Sequence, residues 1–347
     1  MRWLPFLALV ACTGSDPSSD TDTKAPDVVD TDTDSDSDSD DTNDTTDTED
    51  TDDGPPPTAE DVTLGGACPL DIRVGGILVQ GTSFYTAVDG AVNDGVVPVE
   101  VLEDVGGNDE CRLLKRNLLF CDPACGFDET CGFDGECVPF PLNIDLGELQ
   151  IDGLVEGVTL QPQAPGFQYT NTSLPHPAIV PGELITMTTG GSDTVPAMKL
   201  HGVGMDPVAL ASKDIWLMVE NEPLVMQWTP STSPVARSEV FVRIDIDQHG
   251  VSPVRAFCVF EDDGEAELPA ELVNELIAFG VTGFPNATLN RRTVDSTILP
   301  DGQCMEFEVR YPVAPTVRVD GYVPCSSNFD CPDGQVCDLA IELCVDP

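Results

Sequence analysis

Twelve cysteines fall along the chain as two isolated residues, a cluster of four, two more isolated residues and a second cluster of four. They are Cys68 and Cys111; Cys121, Cys125, Cys131 and Cys137; Cys258 and Cys304; and Cys325, Cys331, Cys337 and Cys344. An even number in this arrangement is the arithmetic of a disulfide framework, in which small segments are stapled because their cores are thin. The clusters read CDPACGFDETCGFDGEC and CSSNFDCPDGQVCDLAIELC; aligned on their last three cysteines they are spaced by five and five residues against five and six. The chain therefore carries a duplicated small knot, with three pairings open inside each cluster. For the isolated cysteines the simplest pairing is Cys68 with Cys111 and Cys258 with Cys304, one staple for each of two folded regions. The rival, a structural zinc site, prefers CxxC pairs, and none occurs.

The thirteenth cysteine has a different setting. Residues 1–11 carry a charge at Arg2 and then an apolar run from Trp3 to Ala11, which suits a signal peptide and is too short to span a bilayer. The run closes on Leu9, Val10, Ala11 and Cys12, a tetrad that resembles the lipobox of bacterial lipoproteins, although only eleven residues and one positive charge precede the cysteine. The resemblance implies diacylglycerol on Cys12, which would tie the chain to a membrane. Thr13 follows where the best-studied inner-membrane members carry Asp, so the expected location is the outer membrane or cell surface, with a secreted or periplasmic protein as the alternative.

From Thr13 to Asp53 there are 17 acidic and 16 hydroxyl residues in 41 positions. Nothing there offsets chain entropy, so 12–58 is read as a disordered Asp/Ser/Thr-rich stalk extended by its own charge. It is similar to the Ser-Asp spacers of bacterial surface adhesins. The net charge of the whole chain, −47, excludes nucleic acid as a partner, because phosphate contacts need clustered Lys and Arg.

Beyond Pro55–Pro57 the texture is mainly β. A small β-rich region is expected over 59–115, with strands at Asp71–Val74, Gly76–Val79, Phe84–Val88 and Val96–Val101 and turns at Asp89–Gly90 and Asn93–Gly95. A Cys-rich module follows at 116–145, then a β-sandwich-like domain with one helix at 146–320, then a C-terminal Cys-rich module at 321–347. In the larger region candidate strands are Glu148–Ile151, Leu184–Thr188, Ile215–Val219, Leu224–Trp228, Val240–Ile246, Ala256–Phe260, Thr288–Arg292 and Met305–Tyr311. Val240, Val242, Ile244 and Ile246 alternate with polar or aromatic residues, so one face of that strand is buried. The helix is Pro269–Phe279, with Leu272, Leu276 and Phe279 on its apolar side and Gly280 as its stop. The run ending in Trp228 resembles Ig-like or fibronectin-type strands, with Trp228 in the core. The short cysteine texts look like pieces of EGF-like or Dickkopf-type modules.

For chemistry, Asp245, Asp247 and His249 alternate on one strand, and Glu261, Asp262 and Asp263 form an acidic loop. Asp245, Asp247, Glu261, Asp262 and Asp263 are the residues that would hold a weak calcium ion; no other cofactor is expected. His176 and His201 have no motif partners, and no GxSxG, HExxH or phosphate-loop sequence occurs. The pattern as a whole resembles stalked Cys-rich lipoproteins of Gram-negative bacteria. It implies a non-enzymatic, lipid-anchored surface protein that binds a surface protein or polysaccharide. The alternatives are a calcium-assisted carbohydrate-binding module presenting exposed aromatics such as Trp216 or Tyr169, and a secreted hydrolase of unrecognised type built around His249.

Overall fold

The structure is a computed structural model, and it describes residues 56–211, 215–235, 237–247 and 253–347. The segments read as a signal peptide and a stalk, through Pro55, together with Cys12 and His249, lie outside the described residues.

The strands, in chain order, are β1 (Arg73–Gly81), β2 (Thr86–Val92), β3 (Leu102–Gly107), β4 (Cys111–Arg116), β5 (Glu129–Cys131), β6 (Cys137–Pro139), β7 (Leu149–Asp152), β8 (Val158–Leu160) and β9 (Tyr169–Asn171). Next come β10 (Leu184–Thr189), β11 (Met198–Val203), β12 (Ile215–Met218), β13 (Leu224–Gln227), β14 (Glu239–Asp245), β15 (Val254–Glu261) and β16 (Glu265–Leu268). The helix α1 (Ala270–Ala278) precedes β17 (Asn286–Ile298), β18 (Cys304–Val313), β19 (Thr316–Val319), β20 (Val336–Asp338) and β21 (Leu343–Val345). The fold is mainly β.

Eleven strands form one mixed sheet, in the order β3-β4-β15-β14-β17-β18-β1-β2-β9, with β19 joined to β17 and β12 to β19. A second sheet, β11-β10-β7-β8, lies against it. Strand β11 crosses β17 closely: the Val203 amide donates to Thr293 Oγ1 at 3.1 Å and the His201 amide to Asp295 Oδ2 at 2.8 Å. Gly202 permits that approach, since a Cβ there would lie 2.5 Å from Val309 Cγ2 and 3.3 Å from the Phe307 ring. Ile151, Ile185, Met187, Val240, Val242, Ile244, Phe307 and Val309 are all buried in one continuous core. The alternation read over 240–246 is thus a core face, as expected for a sheet with one dry side.

The two β-rich stretches are not separate regions. β1 runs parallel to β18, with Ile77 opposite Phe307 and Gln80 opposite Arg310, and β4 pairs antiparallel with β15. This corrects the expected staples: the bonds are Cys68–Cys304 and Cys111–Cys258. Each joins the first stretch to the second because the sheet places their strands side by side. Nearness along the chain suggested the opposite pairing.

Three local expectations also change. Val96–Val101 holds a 3-10 turn at Pro98–Glu100, where Pro98 lacks the N–H that a strand needs. Asp89 and Gly90 lie inside β2, opposite Leu78 and Ile77. Gly90 is there for close approach, since a Cβ would sit 2.3 Å from the Gly76 carbonyl oxygen. The helix begins after Pro269 and buries Leu272, Val273 and Leu276, whereas Phe279 is its half-exposed C-cap. Gly280 follows with φ +119, as a helix stop requires.

Candidate functional site

Inside each cysteine cluster the connectivity is the same. Cys121–Cys131 and Cys125–Cys137 close the first; Cys325–Cys337 and Cys331–Cys344 close the second. In both, the third and fourth cysteines face each other across a two-stranded hairpin, Cys131 opposite Cys137 in β5–β6 and Cys337 opposite Cys344 in β20–β21. The bridges then carry that hairpin to the first and second cysteines. Three sulfurs of each knot lie within 4.8 Å of one another, but every one is in a disulfide, which leaves no thiolate for zinc.

The second knot is docked by Leu343, which is buried in the main core, and by a hydrogen bond from the Gly283 amide to the Ile341 carbonyl. The first knot turns its large apolar side chains outward. Phe120, Phe127, Phe133 and Phe140 are 82%, 101%, 58% and 48% exposed, and Leu118 and Leu142 are exposed beside them. Residues 117–142 contain five carboxylates and no Lys, Arg or His. Phe329 stands fully exposed on the second knot, whose residues 321–347 also lack cations.

The five residues singled out for calcium are not brought together. Asp245 pairs with Arg255 at one end of the β14–β15 ladder, and Glu261 lies opposite Glu239 at the other, six residues or about 20 Å away. Asp245 is buried, with Oδ2 2.9 Å from Arg255 Nε, and Asp247 Oδ1 accepts from Thr282 Oγ1 at 2.8 Å. Glu261, Asp262 and Asp263 do line one cleft of about 540 Å³ with Glu110, Ser238 and Glu239. Within it, however, Asp262 has another task. Its Oδ1 accepts from Trp228 Nε1 at 2.9 Å and Arg291 Nη2 at 3.0 Å, and its Oδ2 from Ser238 Oγ and Arg291 Nε, both at 2.6 Å. Four donors occupy the lone pairs a calcium ion would need.

Arg291 is the functional group that sequence reasoning missed. It is fully buried, and all five of its N–H donors are satisfied by the Asp262 carboxylate, by Asp206 Oδ2 and its carbonyl at 3.1 Å, by the Pro207 carbonyl at 3.2 Å and by the Thr229 carbonyl. Its role is structural: it ties β17 to the 206–207 and 229 loops and to the acidic turn after β15. A lone Arg beside Arg292 carries no sequence signal of burial.

The aromatics named for a sugar platform are not exposed. Trp216 is buried in the core, and Tyr169 is fully buried with its hydroxyl accepting from the Leu146 amide and donating to the Gly147 carbonyl, both at 2.9 Å. Burial pushes the Tyr169 pKa up. His176 Nδ1 lies 3.2 Å from Thr86 Oγ1 and His201 Nδ1 lies 3.3 Å from Thr186 Oγ1, each a pairing with a strand hydroxyl. Burial lowers the His201 pKa against the pull of Asp295.

No protein-family model and no curated protein matches the sequence. Among solved structures the chain is similar to the three domains described as "Crystal structure of chicken CNTN1 FN1-FN3 domains", at 9% identity over 65% of this chain and 69% of that one. The TM-score is 0.17.

Proposed function

We propose that this chain is a lipid-anchored cell-surface protein that binds and does no covalent chemistry: Cys12 carries the lipid, the acidic stalk holds the folded part off the membrane, and the disulfide-stapled β body meets an external protein or polysaccharide. The observation that carries the reading is the outward set of Phe120, Phe127, Phe133 and Phe140 on a covalently closed knot. Rigid exposed aromatics lose little entropy on contact and are the usual anchors of interfaces. Cation-free surroundings favour a partner that is basic around its apolar sockets, because like charges across an interface repel.

Supporting it, the chain's conspicuous acids are used internally, Asp262 and Asp206 by Arg291 and Asp245 by Arg255. The anchor is tested by growing cells with a labelled fatty acid and comparing the native protein with Cys12→Ala. The reading expects label on the native protein and none on the variant. Absence of label from both would overturn the anchor.

A further inference from the structure

On the outward face of the large sheet a groove of about 410 Å³ lies over β1, β2 and β18, within the size range of small-ligand sites. Its floor is apolar and shallow, made by Leu78 of β1 and Ala87 of β2. Register sets the polar groups around it. Gln80 lies between Arg310 and Ala87 in one row, and Leu78 lies between Glu308 and Asp89 in the next. Tyr85 enters from the β1–β2 turn, 45% exposed, with its hydroxyl accepting from Gln80 Nε2 at 3.0 Å. Gln80 is held from its other end, where Oε1 accepts from Arg310 Nε at 3.0 Å and Nη2 at 2.9 Å. The ring, the amide and the guanidinium are therefore locked to one another before any ligand arrives, which is the preorganisation that binding rewards.

Several groups in this groove remain open to a ligand. The Tyr85 hydroxyl accepts from Gln80 and keeps its own proton to donate. Asp89 Oδ1 is taken by Thr170 Oγ1 at 2.8 Å, and Oδ2 has no partner among the described residues. Arg310 Nη1 is 3.7 Å from Glu308 Oε1, beyond hydrogen-bond reach, and the Thr172 hydroxyl completes the rim. Donors and acceptors thus alternate around an apolar floor beside one aromatic ring.

The charges discriminate between ligand classes. An anion at Arg310 would also face Asp89 and Glu308, and a cation at Asp89 would face Arg310. A neutral molecule with an apolar face and a rim of hydroxyls, each both donor and acceptor, satisfies every group. We infer that this groove binds a neutral pyranose unit of an oligosaccharide, with its C–H face on Leu78 and Tyr85 and its hydroxyls bridging Asp89 and Arg310. This inference rests on the binding role proposed above and gives it a ligand, independently of the lipid on Cys12. It also moves any sugar site away from the buried Trp216 and Tyr169.

The test is the purified full-length protein on an array of immobilised oligosaccharides that includes neutral hexose polymers, glycoprotein-type glycans and uronate-rich chains. Retained probes are then titrated by calorimetry against native protein, Tyr85→Ala and Ala87→Phe. Tyr85 is in an exposed turn and Ala87 is partly exposed, so both variants should keep the native melting temperature, which is measured alongside. The expected result is retention of neutral probes, with affinity reduced at least tenfold by Tyr85→Ala and abolished by Ala87→Phe, which fills the floor. Retention of uronate chains alone would overturn the neutral ligand. No retention at millimolar sugar by natively melting protein would overturn the site while leaving the anchor to the fatty-acid result. Binding indifferent to both variants would place the sugar elsewhere and equally overturn it.

Discussion

Replacing Asp262 by Asn should cost the fold about 3 kcal/mol, and the structure sets that figure. Arg291 is fully buried, and Asp262 is the acid that holds it in two-point contact. Removing one partner of a buried ion pair costs about 3–5 kcal/mol, because the other charge remains out of water. Here Asp206 stays 3.1 Å from Nη1 and three carbonyls keep their bonds, which places the expected loss at the lower end of that range. A second penalty pushes the other way. The new amide nitrogen is a donor and must face either the Trp228 and Arg291 Nη2 donors or the Ser238 and Arg291 Nε donors. Urea unfolding followed by tryptophan fluorescence measures the loss, since Trp228 itself touches Asp262. Asp263→Asn, one residue away and exposed, is the control and should stay within about 0.5 kcal/mol of native. Equal stability of Asp262→Asn and Asp263→Asn would refute the assignment of Arg291 as a buried, charge-balanced tie.

Further outcomes follow from the same geometry. Non-reducing peptide mapping should recover Cys68 linked to Cys304 and Cys111 linked to Cys258, and a Cys68–Cys111 peptide would contradict the shared sheet. A Cys68→Ser, Cys304→Ser double variant frees a loop spanning 236 residues and, by loop entropy, should lose up to about 5 kcal/mol, read as a fall in urea midpoint. His201 has a folded pKa below its unfolded value of about 6.5, so the native state takes up its proton less readily. Stability should therefore fall as pH drops from about 6.5 toward the lowered value, and His201→Gln should flatten that part of the curve. Asp330, whose pKa the Ser326 and Ser327 amides and hydroxyls hold below the ordinary carboxylate value, works in the opposite sense. Its contribution is present above about pH 4 and is lost as pH falls through the lowered value; a carboxyl NMR titration compared with an unfolded peptide reads it directly.

How much of this was legible depended on whether the cause was local. The 240–246 alternation, the α1 boundaries and the repeated knot are set by near neighbours, and each shows in a few consecutive residues. Disulfide pairing between the isolated cysteines was not, because it depends on β1 adding parallel to β18 and β4 antiparallel to β15, partners 236 and 147 residues apart at the bridged cysteines. Strand β17 was legible only over Thr288–Arg292 of Asn286–Ile298, and the burial of its polar side chains was hidden for a related reason. Asn290, Arg291, Arg292 and Asp295 are all buried there, so its sequence lacks the wet face by which a half-buried strand is read. Asp89–Gly90 mimicked a turn because glycine serves close strand approach as well as positive φ. Acids in this chain were the hardest to read: with 62 Asp and Glu in the chain, nothing in the sequence separates Asp262, which neutralises an arginine, from Asp263 beside it, which is exposed.

The central claim, that a stapled β body is displayed outside the cell on a cleavable acidic stalk, is tested most directly by adding protease to intact cells and analysing what is released. The account predicts a soluble fragment beginning near Pro56 that keeps all six disulfides, with the stalk remnant left on the membrane. A chain that stays full-length on intact cells and is cut only after lysis would contradict it.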